Sequence, residues 1–291
     1  MSDREIISNA ARRRLLQGLP VRERRLELAG IDTALLEGGE GDPVVLVHGP
    51  GANAVHWMRV VPGLARTHRV IAPDLPCHGA SEAFRGEPDA GRMSSWLDEL
   101  VERTCAGPPA LVGHLMGGAI AARFAAERPA RLRRLVLIDT FGLTDLAPLP
   151  EFDAAVARFF AVPSRSSHEA LWLHCAHDLE GLQRQLGKRW QDFEEYNVQS
   201  AGHPGLGDCL PALLRLFAQR AFPPALLRRI VVPTTLVWGR HDRATPVSVA
   251  EEASRRYGWP LHVIENANDD PPFEQPEVLV SLLRNLLSRE S

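Results

Sequence analysis

At 291 residues, 45% hydrophobic and 24% charged, the chain has the composition of a soluble globular protein and the length for one large α/β domain carrying an insertion. A formal net charge of -3 leaves no basic footprint, which argues against nucleic acid or an anionic membrane surface as a partner. Cys77, Cys105, Cys175 and Cys209 form no C-x-x-C pair, so reduced thiols are expected; no apolar run approaches the ~20 residues of a membrane span, and the expected location is cytoplasmic.

In chain order, Ser2 to Leu16 places apolar residues at helical spacing and reads as an N-terminal arm or helix within residues 1–20. Arg24 to Leu28 and Ile31 to Leu36 alternate as paired strands around Ala29-Gly30. Val44 to Val47 is a run of four aliphatic residues, the mark of a strand buried on both faces of a parallel sheet. A helical stretch through Trp57 to about Arg66 follows, then a strand at Arg69 to Ala72, a helix at Ser94 to Cys105 and a short strand at Ala110 to Val112. Gly117 to Arg128 reads as a helix and Leu132 to Ile138 as the sixth strand.

Strand signals stop between Thr144 and Arg229. Glu151 to Ala161, Ser166 to Leu186, Arg189 to Val198 and Leu210 to Ala221 read as helices instead. Residues 144–229 are therefore expected to form a helical cap, inserted between core segments 21–143 and 230–291. Strands resume at Thr234 to Gly239 and Leu261 to Ile264, around a helix at Val247 to Tyr257, and a closing helix runs from Phe273 to Leu287. Strands alternating with helices in this way predict a doubly wound, mostly parallel sheet.

Five motifs in one register give the chain its character: His48-Gly49-Pro50-Gly51 with Trp57, Asp74 to Ser81, Gly113-His114-Leu115-Met116-Gly117, Trp238 to Asp242, and Asn268 to Pro272. Together they resemble the α/β-hydrolase superfamily from about Leu26 to Leu287, and in particular its capped bacterial members. The resemblance implies an α/β-hydrolase fold with the cap after the sixth strand. It also implies a nucleophile at the centre of the glycine-flanked turn, an orienting acid and a histidine base. Those places hold Leu115, Asp242 and Asp269. Leucine has no lone pair to attack with, so no covalent intermediate forms there, and Asp269 does not shuttle protons as imidazole does near neutral pH.

The resemblance places one oxyanion donor at the Met116 N–H and the other at Pro50, which has no N–H to give, with Gly49 or Gly51 as substitutes. It also brings Asp242 and Asp269 within hydrogen-bonding distance, where two carboxylates share a proton and one has a raised pKa. Gly49, Pro50, Gly51, His114, Met116, Trp57, Trp172 and Phe159 are the expected binding residues. His48 and His114 are expected to pack and bond loops, and Asp139 to cap the turn after its strand. His174, His177 and Asp178 share a helical face but lack a distant third ligand, so no metal site is expected. No cofactor is expected either, because the glycines fit neither phosphate-binding fingerprint.

The function expected from these replacements is a non-hydrolytic catalyst of the cyclase, lyase or isomerase type, acting on a small apolar, carbonyl-bearing metabolite. Asp269 and Asp242 would handle protons. The alternatives are a non-catalytic small-ligand-binding or regulatory protein, and a hydrolase by a non-standard route or an inactivated variant.

Overall fold

The computed structural model describes residues 9–203 and 205–288. Among them, one sheet contains β1 (Arg22–Leu28), β2 (Ile31–Gly38), β3 (Pro43–Val47), β4 (Arg69–Pro73), β5 (Ala110–His114), β6 (Arg134–Ile138), β7 (Thr234–Gly239) and β8 (Leu261–Ile264). The strand order is β1-β2-β4-β3-β5-β6-β7-β8. β2 is antiparallel to both β1 and β4, and every pairing from β4 to β8 is parallel.

The helices are α1 (Ala10–Leu16), α2 (Val61–Leu64), α3 (Ala90–Thr104), α4 (Met116–Glu127), α5 (Pro150–Ala161), α6 (Arg165–Cys175), α7 (Leu179–Leu186), α8 (Lys188–Ala201), α9 (Leu206–Phe217), α10 (Pro224–Leu227), α11 (Val247–Tyr257), α12 (Pro271–Glu274) and α13 (Pro276–Leu287). Short 3-10 turns lie at Ala54–Arg59 and Pro129–Arg131. Residues 2–8 of the expected N-terminal helix lie outside the described residues. The helix expected over Ser166 to Leu186 is two helices, because Ala176 turns extended and the Asp178 side chain accepts from Gly181 N–H to start α7.

The central strands are buried on both faces, and side-chain alternation sorts them into two cores. Val45, Val47, Leu111, Leu135, Leu137 and Leu236 face the core shared with α3, α4 and α9. Val44, Leu46, Ala110, Val112, Val136 and Val237 face the other core, which contains Trp57 and α13. After β3 the chain crosses to β4 on one side of the sheet and then to β5 on the other. The carboxyl ends of β3 and β5 therefore flank a topological switch point, where open α/β sheets place their ligands.

Between β6 and β7 the chain runs through α5 to α10. A third apolar cluster, with Trp172, Trp190, Phe193 and Tyr196 from these helices, also takes in Ala11 and Leu15 of α1. Arg12 of α1 is buried. It bonds the Tyr196 hydroxyl at 2.6 Å, Glu23 at 2.6 Å and Asp74 at 3.0 Å. Four reduced thiols were expected from sequence, but the structure joins Cys77, in the loop after β4, to Cys209 of α9 in a disulfide, and Cys105 and Cys175 are free. Sequence spacing did not show this pair because 132 residues separate its members.

Candidate active site

The turn from β5 into α4 is fixed by glycine. A Cβ on Gly117 would stand 2.4 Å from the carbonyl oxygens of Val47 and His48, and one on Gly113 would stand 2.4 Å from that of Gly117. The strand and helix therefore approach as closely as backbone allows. Leu115 absorbs the reversal at φ 49, in the left-handed region that a leucine rarely adopts. Its N–H still bonds Ile138 of β6 at 3.0 Å. No side chain caps the start of α4, so the first helical N–H groups, including that of Met116, have no helical partner.

A second segment, after β3, is set by Asp74. Its carboxylate accepts from Ala54 N–H at 2.6 Å and Ala80 N–H at 2.8 Å, while Asn53 accepts from Val55 N–H at 3.0 Å. These bonds start the 3-10 turn at Ala54. On that turn His56 faces the site, and its neighbour Trp57 is wholly buried in the core beneath. His56 Nε2 bonds Asp270 Oδ1 at 2.8 Å. The Phe273 ring packs against the imidazole with centroids 5.0 Å apart. Asp270 itself opens α12 at the end of the last loop.

His114 stacks on His56, with centroids 5.4 Å apart and planes 16° from parallel, and its Nε2–H donates to the Asp269 carbonyl at 2.7 Å. Burial pushes His114 down to about 4, so the ring is neutral at pH 7. Asp269 is held well above the usual carboxylate range, first by burial and then by the charges of Asp242 and Asp270. Its Oδ1 is buried without a hydrogen-bond partner. Burial thus favours the protonated form of this side chain, which can donate a proton.

Asp242 accepts from Ala244 N–H at 2.7 Å and Thr245 N–H at 2.8 Å, and burial raises it to about 7. Its hydrogen-bonded carboxylate neighbour is Asp139, not the expected Asp269. Asp139 was expected to cap its own turn. Instead it takes φ 45 and accepts from Gly239 N–H at 2.8 Å, which brings it to the end of β7 beside Asp242. Burial and the Asp242 charge raise Asp139 well above its ordinary value. The two carboxyls share a side-chain hydrogen bond, and the Oδ2 of each is buried.

His56, His114, Asp269 and Asp270 meet at a cavity of about 210 Å³. They are polar groups of its wall, as are Asp153, His168 and Asn197; Leu115 is there as hydrocarbon, and Phe141, Phe152, Phe159, Phe160, Trp172 and Leu214 form much of the remaining wall. Gly49, Pro50 and Gly51 border it, and a Cβ on Gly51 would meet the Phe160 ring at 2.4 Å. Of the expected site residues, Asp242, Met116 and Trp57 do not line the cavity. Asp242 is turned to its own loop, the Met116 side chain packs in the core with α4, and Trp57 follows His56 on a turn with only one face toward the cavity.

His56 and Asp270, which sequence reasoning did not single out, do line it. They are 214 residues apart, and the only local signal was a histidine beside the motif tryptophan. His48 bonds loops, joining the Gly49 carbonyl at 2.8 Å and accepting from Leu75 N–H at 2.9 Å. His174 stacks on Phe152, while His177 stacks on His241, so the cap pair does not converge on one ligand point.

An eight-stranded sheet in this order, a glycine-pinned strand-turn-helix at its switch point and helices inserted after β6 define the α/β-hydrolase class of fold. The chain belongs to the Alpha/beta hydrolase family, which it matches over residues 44–282. It is 29% identical to the 2-hydroxy-6-oxo-2,4-heptadienoate hydrolase of Pseudomonas putida, over 91% of this chain and 96% of that protein. It is 31% identical to the 2-hydroxymuconate semialdehyde hydrolase of a Pseudomonas species, over 80% and 82%. Among solved structures, a putative lipase from Acinetobacter baumannii superposes with a TM-score of 0.80 at 22% identity, covering 97% of this chain and 96% of that one. The relatives named as hydrolases overturn the expectation of a cyclase, lyase or isomerase. That expectation took the missing serine to mean that hydrolysis itself was lost, whereas it removes only one route to hydrolysis.

Proposed function

We propose that the chain is a hydrolase of a small, largely apolar, carbonyl-bearing substrate, and that water attacks the carbonyl directly, without an acyl-enzyme. The observation that carries this reading is the His56–Asp270 pair, bonded at 2.8 Å in the wall of a largely apolar cavity. Asp270 accepts the Nε2 proton of His56, which leaves Nδ1 as the basic nitrogen of the ring. That nitrogen takes a proton as the water oxygen bonds to the carbonyl carbon. In this reading Asp269, whose protonated form burial favours and whose Oδ1 has no partner, is the acid: it gives a proton to the leaving atom as the scissile bond breaks, and is reprotonated from His56. Leu115 and the aromatic wall exclude bulk water and orient the apolar part of the substrate.

The test is a single turnover with enzyme in excess, using aryl esters and 2-hydroxy-6-oxo-dienoates. Intact-mass spectrometry should find no covalent adduct while product accumulates. A stable acyl adduct on any side chain would overturn direct water attack. His56→Gln should lower kcat by about 10²–10⁴ with the cavity still able to bind product.

A further inference from the structure

We infer that His56, His114 and Asp270 form a binding site for one first-row divalent metal ion, of which Zn²⁺ is representative. One ligand atom from each lies within 4.8 Å of the others, and all three residues are buried. Two imidazoles and a carboxylate are a donor set for a catalytic type of metal site, in which a fourth position stays open. Here the three residues line the same cavity, so that open position faces the substrate.

Two further observations point the same way. His114 donates its Nε2–H to the Asp269 backbone carbonyl at 2.7 Å, the kind of bond that orients metal-binding imidazoles, and this leaves the lone pair on Nδ1. That Nδ1 is buried and has no hydrogen-bond partner. A neutral imidazole with its tautomer fixed by a carbonyl and its other nitrogen unused is poised as a ligand. The rings are also held in place, since Phe193 and Phe273 pack on His56 and Trp57 packs edge-on against His114.

On binding, the metal takes the place of the proton between His56 Nε2 and Asp270, and that proton moves to His56 Nδ1, so that both imidazoles bind as neutral rings. Metal binding stands without the hydrolytic reading; its catalytic use rests on that reading. An ion held there would supply Lewis-acid activation of water, in place of activation by His56.

The experiment uses tag-free, chelator-treated full-length protein titrated with Zn²⁺ by calorimetry and with Co²⁺ by visible absorption. One ion per chain is expected, with Co²⁺ giving d–d bands of a low-coordinate site. His114→Ala and Asp270→Asn should each weaken binding at least about 10-fold, with far-UV circular dichroism unchanged, and His174→Ala should bind as wild type. If one ligand variant fails to fold, the other decides. Binding unaffected by both, or no saturable binding, overturns the inference. Chelated protein that binds no metal yet keeps full turnover sinks the metal site and leaves direct water attack standing. Tight stoichiometric binding with no hydrolysis of any substrate does the reverse.

Discussion

The turn at Leu115 and the turn at His56 both border the cavity, and they divide between them what a nucleophile elbow ordinarily combines. Leu115 has the strained backbone, with φ 49 and glycines pressed against neighbouring carbonyls, yet presents only methyl groups. His56 sits on an unstrained 3-10 turn held by Asp74 and Asn53, yet carries the polar pair. The contrast teaches that close strand-helix packing keeps its geometry for reasons of fold, whether or not chemistry is mounted on it.

The comparison breaks most visibly through activity. His56→Gln and Asp270→Asn should each reduce kcat by about 10²–10⁴, while Leu115→Ala should change it by less than about 10-fold, read from steady-state rates on the best substrate. Equal losses at both turns would put the chemistry back at the elbow. Stability should show the opposite ranking. Gly117→Ala forces a Cβ to within 2.4 Å of two backbone oxygens, and should cost about 3 kcal/mol or more in denaturant unfolding; His56→Gln should cost less.

Next in size, reducing Cys77–Cys209 should lower stability by about 2–4 kcal/mol, seen as a fall in Tm with reductant that the Cys77→Ser/Cys209→Ser variant no longer shows. The smallest effect is on pH dependence. Burial raises Asp242 to about 7 and Glu274 to about 8, and raises Asp139 and Asp269 as well. Groups with raised folded-state values stabilise fully below their unfolded values and lose that contribution as pH climbs through the folded ones. Burial lowers His78 and His114 to about 4, and these neutral rings cost stability as pH falls below about 6.5. Above pH 6.5 only the acids act, so Tm should decline from there to about pH 8, and Asp242→Asn should flatten the slope.

Much of the fold was legible because its signals are local. The aliphatic run at Val44 to Val47 and the glycines at 113 and 117 announce a buried parallel strand and a tight turn without reference to anything distant. The insertion was legible for a similar reason, since helical periodicity replaces strand periodicity after Thr144. The site was less so. Its pair of His56 with Asp270, like Asp139 with Asp242 and Cys77 with Cys209 elsewhere in the fold, is made by tertiary approach across 100 residues or more, and no spacing rule encodes such pairs. The resemblance placed Asp269 against Asp242, whereas φ 45 at Asp139 directs that side chain to β7 and Asp139 is the carboxyl that bonds Asp242.

Arg12 gives the cap a mechanical character. Through it α1 ties α8 to the Asp74 loop, and the Cys77–Cys209 bond ties α9 to the same loop, so the inserted helices are riveted to the core at two places. Both fastenings end in the one loop after β4, so a change that loosens that loop frees α8 and α9 together.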